Sequence, residues 1–213
     1  MGVKILCYGD SNTFGYIPAG EGARYEKDER WCGVLQKLLG KEYHVIEAGH
    51  NGRTTDLDVI RDPLRNGLKN IEPVISMYEP LDLVIVMLGT NDCKEEFHRS
   101  ADAIANGLES IVKRIREHFA SKQEAAPEIL IVNPACVRAD AAYGPFGHEF
   151  SKRSHEVSLQ MESAYRKLSR KLETKYLDAS AYIEASPLDG IHLSKEAHRT
   201  LAEKLCELII GEG

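Results

Sequence analysis

No window of this 213-residue chain reaches the roughly 18 consecutive apolar residues that a membrane-spanning helix needs, so no membrane partner is expected. A charged-then-apolar leader is missing as well. After Met1-Gly2 the sixth position is Leu6 rather than Ser or Thr, which removes a myristoyl anchor. Together these absences point to a cytoplasmic protein. There is neither a basic stripe nor an acidic tail: 27 Lys and Arg stand against 33 Asp and Glu, and the net charge of -6 is spread along the chain. Nucleic acid is therefore not an expected partner. Neither a Gly-x-Gly-x-x-Gly nor a Walker run occurs, so the usual marks of a nucleotide site are absent. The five cysteines, Cys7, Cys32, Cys93, Cys136 and Cys206, lack the paired spacing of zinc or redox sites and read mostly as reduced, buried, small apolar residues. Cys93 is the candidate for an accessible thiol, though no local partner would activate it. The histidines show no metal spacing and read mostly as surface residues, His50 being a candidate to line a pocket. No metal is expected.

What is present begins with Lys-Ile-Leu-Cys-Tyr-Gly-Asp-Ser-Asn at Lys4 to Asn12. Residues 3–8 have the length and apolar density of a buried parallel strand, and Gly9 offers the freedom to turn sharply off it onto Ser11. A polar segment, 12–30, follows without helical or strand period and reads as a loop over the strand ends. Trp31, Val34, Leu35, Leu38 and Leu39 recur at helical spacing over 31–39, with Gly40 placed for a left-handed C-terminus. Residues 43–48 read as a second strand, which completes a βαβ unit. Leu68, Ile71, Val74, Ile75 and Tyr78 suggest a helix, and the continuous apolar run 83–88 reads as a strand covered on both faces. A helix over 100–119 with Ser100 as N-cap, a strand at 129–132, a helix over 154–175, a brief strand at 176–178 and a final helix over 195–210 with Ser194 as N-cap complete the pattern. The segment 135–151 is long for a connection and rich in small and aromatic residues, as a lid or an oligomer contact would be.

Alternating strands and helices predict an α/β fold, a parallel sheet in a three-layer α/β/α sandwich, within one domain spanning 1–213. Such sheets bind ligands beyond the carboxyl ends of their strands. The polar motifs at Gly9, Gly49, Gly89 and Asp189 all follow strands or strand-like runs, and so should converge there.

A serine hydroxyl becomes a useful nucleophile when an imidazole accepts its proton, and the imidazole needs an acceptor on its other nitrogen to hold its tautomer. Ser11, His192 and Asp189 supply those three groups, the last two on one short loop. Taken singly, Gly9-Asp10-Ser11, Gly89-Thr90-Asn91-Asp92 and Asp189-Gly190-Ile191-His192 are each compatible with plain turn chemistry.

Jointly, in this order and at these positions, those motifs and Gly49 to Gly52 resemble the four blocks of the SGNH-hydrolase, or GDSL, superfamily of esterases and lipases, over nearly the whole chain. The resemblance implies a flavodoxin-like five-stranded sheet of order 2-1-3-4-5. It implies Ser11 as nucleophile, His192 as base and Asp189 as its orienter. The oxyanion hole is then the Ser11 N–H, the Gly52 N–H and the Asn91 side-chain amide, each such donor being worth about 3 kcal/mol of barrier. Asn12 departs from the family, where many members carry Leu, and bears only on local loop packing. Asp10 reads as a residue that holds the turn, and Arg53 as a tie between loops. Ile5 to Ser11, Arg30-Trp31, Gly52 to Thr55 and Asp82 to Asp92 further resemble the bacterial arylesterase and acyltransferase branch. That likeness implies short acyl chains, a homo-oligomer that narrows the active-site mouth, and no cofactor.

The leading expectation is therefore a serine esterase that cleaves short-chain aryl or alkyl esters through an acyl-enzyme, released to water or an acceptor alcohol. The same triad would serve a carbohydrate O-deacetylase. The reading from another class is a non-catalytic, flavodoxin-like phosphate- or nucleotide-binding protein in which Ser11, Asn12 and Thr13 cradle a phosphate; it leaves His192 and Asn91 without a purpose.

Overall fold

Strand β1 (Val3–Gly9) is flanked on both sides, by β2 (Tyr43–Gly49) and by β3 (Leu83–Met87); β4 (Glu128–Asn133) and β5 (Lys175–Asp178) extend the sheet beyond β3. All pairings are parallel and the order is β2-β1-β3-β4-β5, which is the sheet the resemblance implies. The structure, a computed structural model, describes residues 2–211. Gly9 pairs with Gly49 on one side and Met87 on the other, so the motifs that follow these strands emerge along one edge of the sheet.

The period of two along β1 and β3 sends their side chains into separate cores. Leu6, Tyr8, Val84 and Val86 pack beneath α3 (Gly67–Tyr78), α4 (Ala101–Ser121) and α5 (Lys152–Leu172). Ile5, Cys7, Ile85 and Met87 pack beneath α2 (Trp31–Leu39) and α6 (Lys195–Ile210). Each helix buries the stripe its sequence period presents: in α4, Ile104, Leu108, Ile111 and Ile115 are all fully buried. Ser100 and Ser194 cap α4 and α6 as expected, accepting the Ala103 and Ala197 N–H groups.

Several local expectations are corrected. Residues 12–30 are not all loop: Ser11–Phe14 form a helical turn, α1, with Asp10 as N-cap and Gly15 left-handed beyond it. Helix α5 starts two residues before Ser154, because Ser151 is the N-cap and Ser154 closes the capping box behind it. It ends at Leu172, where Glu173 turns left-handed, and β5 begins at Lys175. Gly40 has the expected positive φ of 78° but an extended ψ of -167°, outside the left-handed helical region. Gly9 is needed for packing rather than for a special dihedral: a Cβ there would stand 2.0 Å from Thr13 Oγ1 and 2.9 Å from the Met87 carbonyl.

Polar side chains account for the remaining differences. His118 and His198 are buried rather than on the surface. His118 Nε2 lies 3.0 Å from Glu79 Oε2, and Trp31 N–H donates to His198 Nδ1 at 3.3 Å. Cys93 is fully buried, with its thiol pushed well above the ordinary range by burial, so it is not an accessible group; Cys136 and Cys206 are partly exposed. All five cysteines are free.

Candidate active site

At the end of β1 the chain enters α1 with Asp10 as cap: its Oδ1 accepts the Asn12 N–H at 2.9 Å. Ser11 is thereby the first residue of a helical turn, with its hydroxyl on the sheet edge. The loop between β5 and α6 brings His192 to it. Asp189, 1 % exposed, organises that loop: Oδ1 accepts the N–H groups of Ile191 and His192, both at 3.0 Å, and Oδ2 accepts the Ala19 N–H at 3.1 Å. The same Oδ2 lies 2.7 Å from His192 Nδ1, while His192 Nε2 lies 3.0 Å from Ser11 Oγ. A carboxylate can only accept, so Nδ1 carries the proton and Nε2 presents its lone pair to the Ser11 hydroxyl. Burial raises the Asp189 carboxyl, but the His192 hydrogen bond and charge, with the two loop N–H donors, outweigh it and bring the group below its ordinary value. It stays ionised beside the imidazole.

The ring of His192 is held on its faces as well. Tyr16 stacks on it with centroids 4.3 Å apart, and Phe146 meets it edge-on at 5.5 Å. Phe146 comes from the 135–151 segment, which also contributes Glu149 and Phe150 to a cavity of about 240 Å³ above Ser11. That segment is a wall of the site.

The expected oxyanion donors converge on the same cavity, which Ser11, Gly52 and Asn91 all line. Gly52 has φ of 77°, a backbone conformation that calls for glycine, whereas a Cβ there would meet only the movable guanidinium end of Arg65. In the turns described, His50 N–H donates to Gly9 and Arg53 N–H donates to His50; the Gly52 N–H lies between them. Asn91 Nδ2 donates to the Arg53 carbonyl at 3.1 Å and stands 3.5 Å from Asp10 Oδ2. The second contact is at the long limit of a hydrogen bond.

Buried polar residues lock these motifs together. Asp92 Oδ2 accepts the Thr55 N–H at 3.0 Å, Thr55 Oγ1 donates to Oδ1 at 2.5 Å, and Arg99 reaches Oδ1 at 3.2 Å while also pairing with Asp56. Burial nonetheless raises Asp92 to about 7, the Thr55 bonds and the Arg99 charge only partly opposing it. Asp10 is raised to about 6 by burial, against the Asn12 N–H and the charges of His192 and Arg53. Arg53 donates to the carbonyls of Gly9 and Ala48 and lies over the Tyr8 ring, with its guanidinium carbon 4.2 Å from the centroid, so it ties loops together as read. His50 is not part of the cavity lining: its Nε2 bonds Asp62 at 2.9 Å, and Asn51 lines the cavity instead. Among the described residues no group of three or more His, Cys, Asp or Glu side chains is arranged to hold a metal ion, and no helix is long and apolar enough to cross a membrane.

Residues 7–200 match the GDSL-like lipase/acylhydrolase family. The chain belongs to that family. Two solved structures resemble this GDSL-like protein over almost its whole length. A carbohydrate acetylesterase from Sinorhizobium meliloti is 33 % identical with a TM-score of 0.91, covering 99 % of this chain and 100 % of that one. The M. smegmatis aryl esterase is 32 % identical with a TM-score of 0.90, covering 99 % of both chains. An acetylxylan esterase from Xylanibacter ruminicola is 27 % identical over 144 residues, 62 % of this chain and 28 % of that protein's length, so the GDSL-like chain matches only a minor part of it. Family and relatives together make this chain a serine ester hydrolase, an esterase or acylhydrolase rather than a phosphate-binding protein.

Sequence reading missed Tyr16, Phe146, Lys94 and Arg65 as lining residues, and gave Asn12 to loop packing or, in the binding-protein reading, to a phosphate cradle. The aromatic content of 135–151 was the usable signal for Phe146. Nothing in the chain near Asn12 signals its partners, Ile191 and Leu193, which bond to it from 179 and 181 residues away.

Proposed function

We propose that this esterase hydrolyses short-chain carboxylic esters through an acyl-enzyme on Ser11. The observation that carries the reading is the hydrogen-bonded chain Asp189–His192–Ser11 opening into a cavity of about 240 Å³. Ser11 Oγ attacks the ester carbonyl as His192 Nε2 takes its proton, and Asp189 supports the imidazolium. The Ser11 and Gly52 N–H groups and the Asn91 amide receive the tetrahedral oxyanion. His192 then passes the proton to the departing alcohol, and water or an acceptor alcohol, activated in turn by His192, releases the acyl group. Tyr16, Phe146, Phe150 and Ile191 give the cavity an apolar lining suited to a short acyl chain.

A second reading concerns the alcohol half of the ester. Arg65, Lys94 and Glu149 are shared between the cavity and a larger adjoining one of about 860 Å³, whose walls add Asp58, Asp62 and His148. These charged groups, set beside Val59, Ile60 and Phe97, offer both hydrogen bonds and apolar faces to a carbohydrate, which favours an acetylated sugar as substrate; the Sinorhizobium relative is a carbohydrate acetylesterase. Self-association belongs to the same proposal: Tyr143 of the 135–151 segment is 92 % exposed beside the cavity wall, as a side chain reserved for a second copy would be.

Incubation with a fluorophosphonate tests the nucleophile by intact mass. One adduct is expected on the native chain and none on Ser11→Ala; an absent adduct, or one undiminished in the variant, overturns the assignment. Turnover of aryl acetate against acetylated xylan separates the two substrate readings.

A further inference from the structure

Asn12 follows the proposed nucleophile and is 2 % exposed. Its backbone N–H is spent on Asp10, and its side chain faces the loop that carries His192. Asn12 Nδ2 donates to the Ile191 carbonyl at 3.3 Å, and the Leu193 N–H donates to Asn12 Oδ1 at 3.0 Å. The two bonded residues are the neighbours of His192 on either side. A single amide group thus grips the backbone of the base as a neighbouring strand would, one donor and one acceptor two residues apart.

The other restraints on His192 leave a gap that this grip fills. Asp189 fixes the ring nitrogen and the local turn from within the same loop. The His192 carbonyl accepts the Ser186 N–H at 2.7 Å, and the Gly190 carbonyl accepts the Arg138 N–H at 2.9 Å. These bonds set the shape of the loop, not its distance from Ser11. From the nucleophile's side, Ala19 N–H reaches Asp189 and Tyr16 stacks on the ring. Among the described residues, Asn12 alone joins the helical turn that presents Ser11 to the backbone on both sides of His192.

We propose that Asn12 is a positioning residue that sets the Ser11 Oγ to His192 Nε2 distance by clamping residues 191 and 193. The proposal rests on the Ser11–His192 reading above. Leucine matches asparagine in branching and heavy-atom count, is bulkier, and offers neither donor nor acceptor. Displacing a catalytic group by about 1 Å costs up to about 100-fold in rate. Aspartate discriminates further. Ionised, it keeps the acceptor for Leu193 N–H but turns a second oxygen toward the Ile191 carbonyl; protonated, it restores the donor and acceptor pair of asparagine.

The test measures kcat, KM and thermal midpoint for Asn12→Leu, Asn12→Asp and Ser11→Ala with p-nitrophenyl acetate. Asn12→Leu should lose about 10- to 100-fold in kcat with KM within about twofold. For Asn12→Asp the ratio of its kcat to that of the unmodified enzyme should rise as pH falls, whereas for Asn12→Leu it should stay flat. A simple charge effect would do the reverse, since a carboxylate near His192 strengthens its hold on a proton and removes base at low pH. Asn12→Leu turning over at the unmodified rate beside an inactive Ser11→Ala overturns the clamp and spares the nucleophile. A ratio for Asn12→Asp that is flat or falls with pH overturns it too, and decides the matter if Asn12→Leu fails to fold. Undiminished turnover by Ser11→Ala removes the nucleophile reading, and the role of Asn12 with it.

Discussion

Asp189 and Asp92 are both buried carboxylates behind motif loops on one sheet edge, 1 % and 0 % exposed, yet their proton affinities move in opposite directions. Asp189 ends below its ordinary value and Asp92 at about 7. Burial acts upward on both, so the partners decide. Asp189 holds an imidazole at 2.7 Å and three backbone N–H groups. Asp92 receives one N–H and one hydroxyl from Thr55, and its cation, Arg99, is shared with Asp56. The first environment is arranged to keep a charge opposite a base. The second is a fastener that ties the turn of Thr55 to that of Asn91.

Asp189→Asn gives the largest expected effect. An amide can donate to Nδ1 and hold the wrong tautomer, so kcat should fall about 10³- to 10⁴-fold with the fold retained. A loss of less than about tenfold would make Asp189 a fastener like Asp92, and the contrast would collapse. Asn91→Ala leaves both carboxylates in place and deletes one oxyanion donor; steady-state kinetics should show kcat lower by about 10²- to 10³-fold and KM little changed.

Arg99→Gln sharpens the other side. Without its cation Asp92 should hold its proton to higher pH, so the native state binds a proton that the unfolded chain has released above about 4. Stability then keeps falling as pH rises past about 7, where that of the unmodified protein levels off. Thermal midpoints of variant and parent should diverge between pH 7 and 9, with activity within about tenfold; parallel curves would detach Arg99 from Asp92.

The smallest effect at neutral pH concerns the other buried imidazole. Among the described residues no carboxylate pairs with His198, and burial, helped by the charges of Arg30 and His192, lowers it to about 3 from 6.5. The unfolded chain therefore takes up a proton that the folded one refuses, and stability falls with pH through that window by up to about tenfold in the folding constant per unit. His198→Gln should flatten this acid limb in a pH series of denaturant titrations.

The apolar part of the fold was legible because burial of apolar groups follows local period: α2 runs over Trp31–Leu39, α6 over Lys195–Ile210 and the strands lie where expected, since one face of each had to be covered. The candidate site was legible for a different reason, that Ser11, Asn91, Asp189 and His192 sit in short motifs with recognisable order, and the structure brings them to one sheet edge. What escaped were polar residues whose partners lie far along the chain. Nothing near His198 shows that Trp31 N–H will reach it across 167 residues. The start of α5 was misplaced because Ser151 and Ser154 are both good caps, and only the reciprocal bonds between them assign the outer role to Ser151.

The hydrogen bond between Ser11 and His192 joins residues 181 apart, and this has a consequence for synthesis. A ribosome completes β1 and its serine early, and the Gly52 and Asn91 turns well before halfway through the 213 residues. The imidazole emerges only after α5 and β5. Until then Ser11 is without the imidazole that lies 3.0 Å from it in the folded chain. On the proposed mechanism, chains that end short of His192 should therefore show no ester hydrolysis.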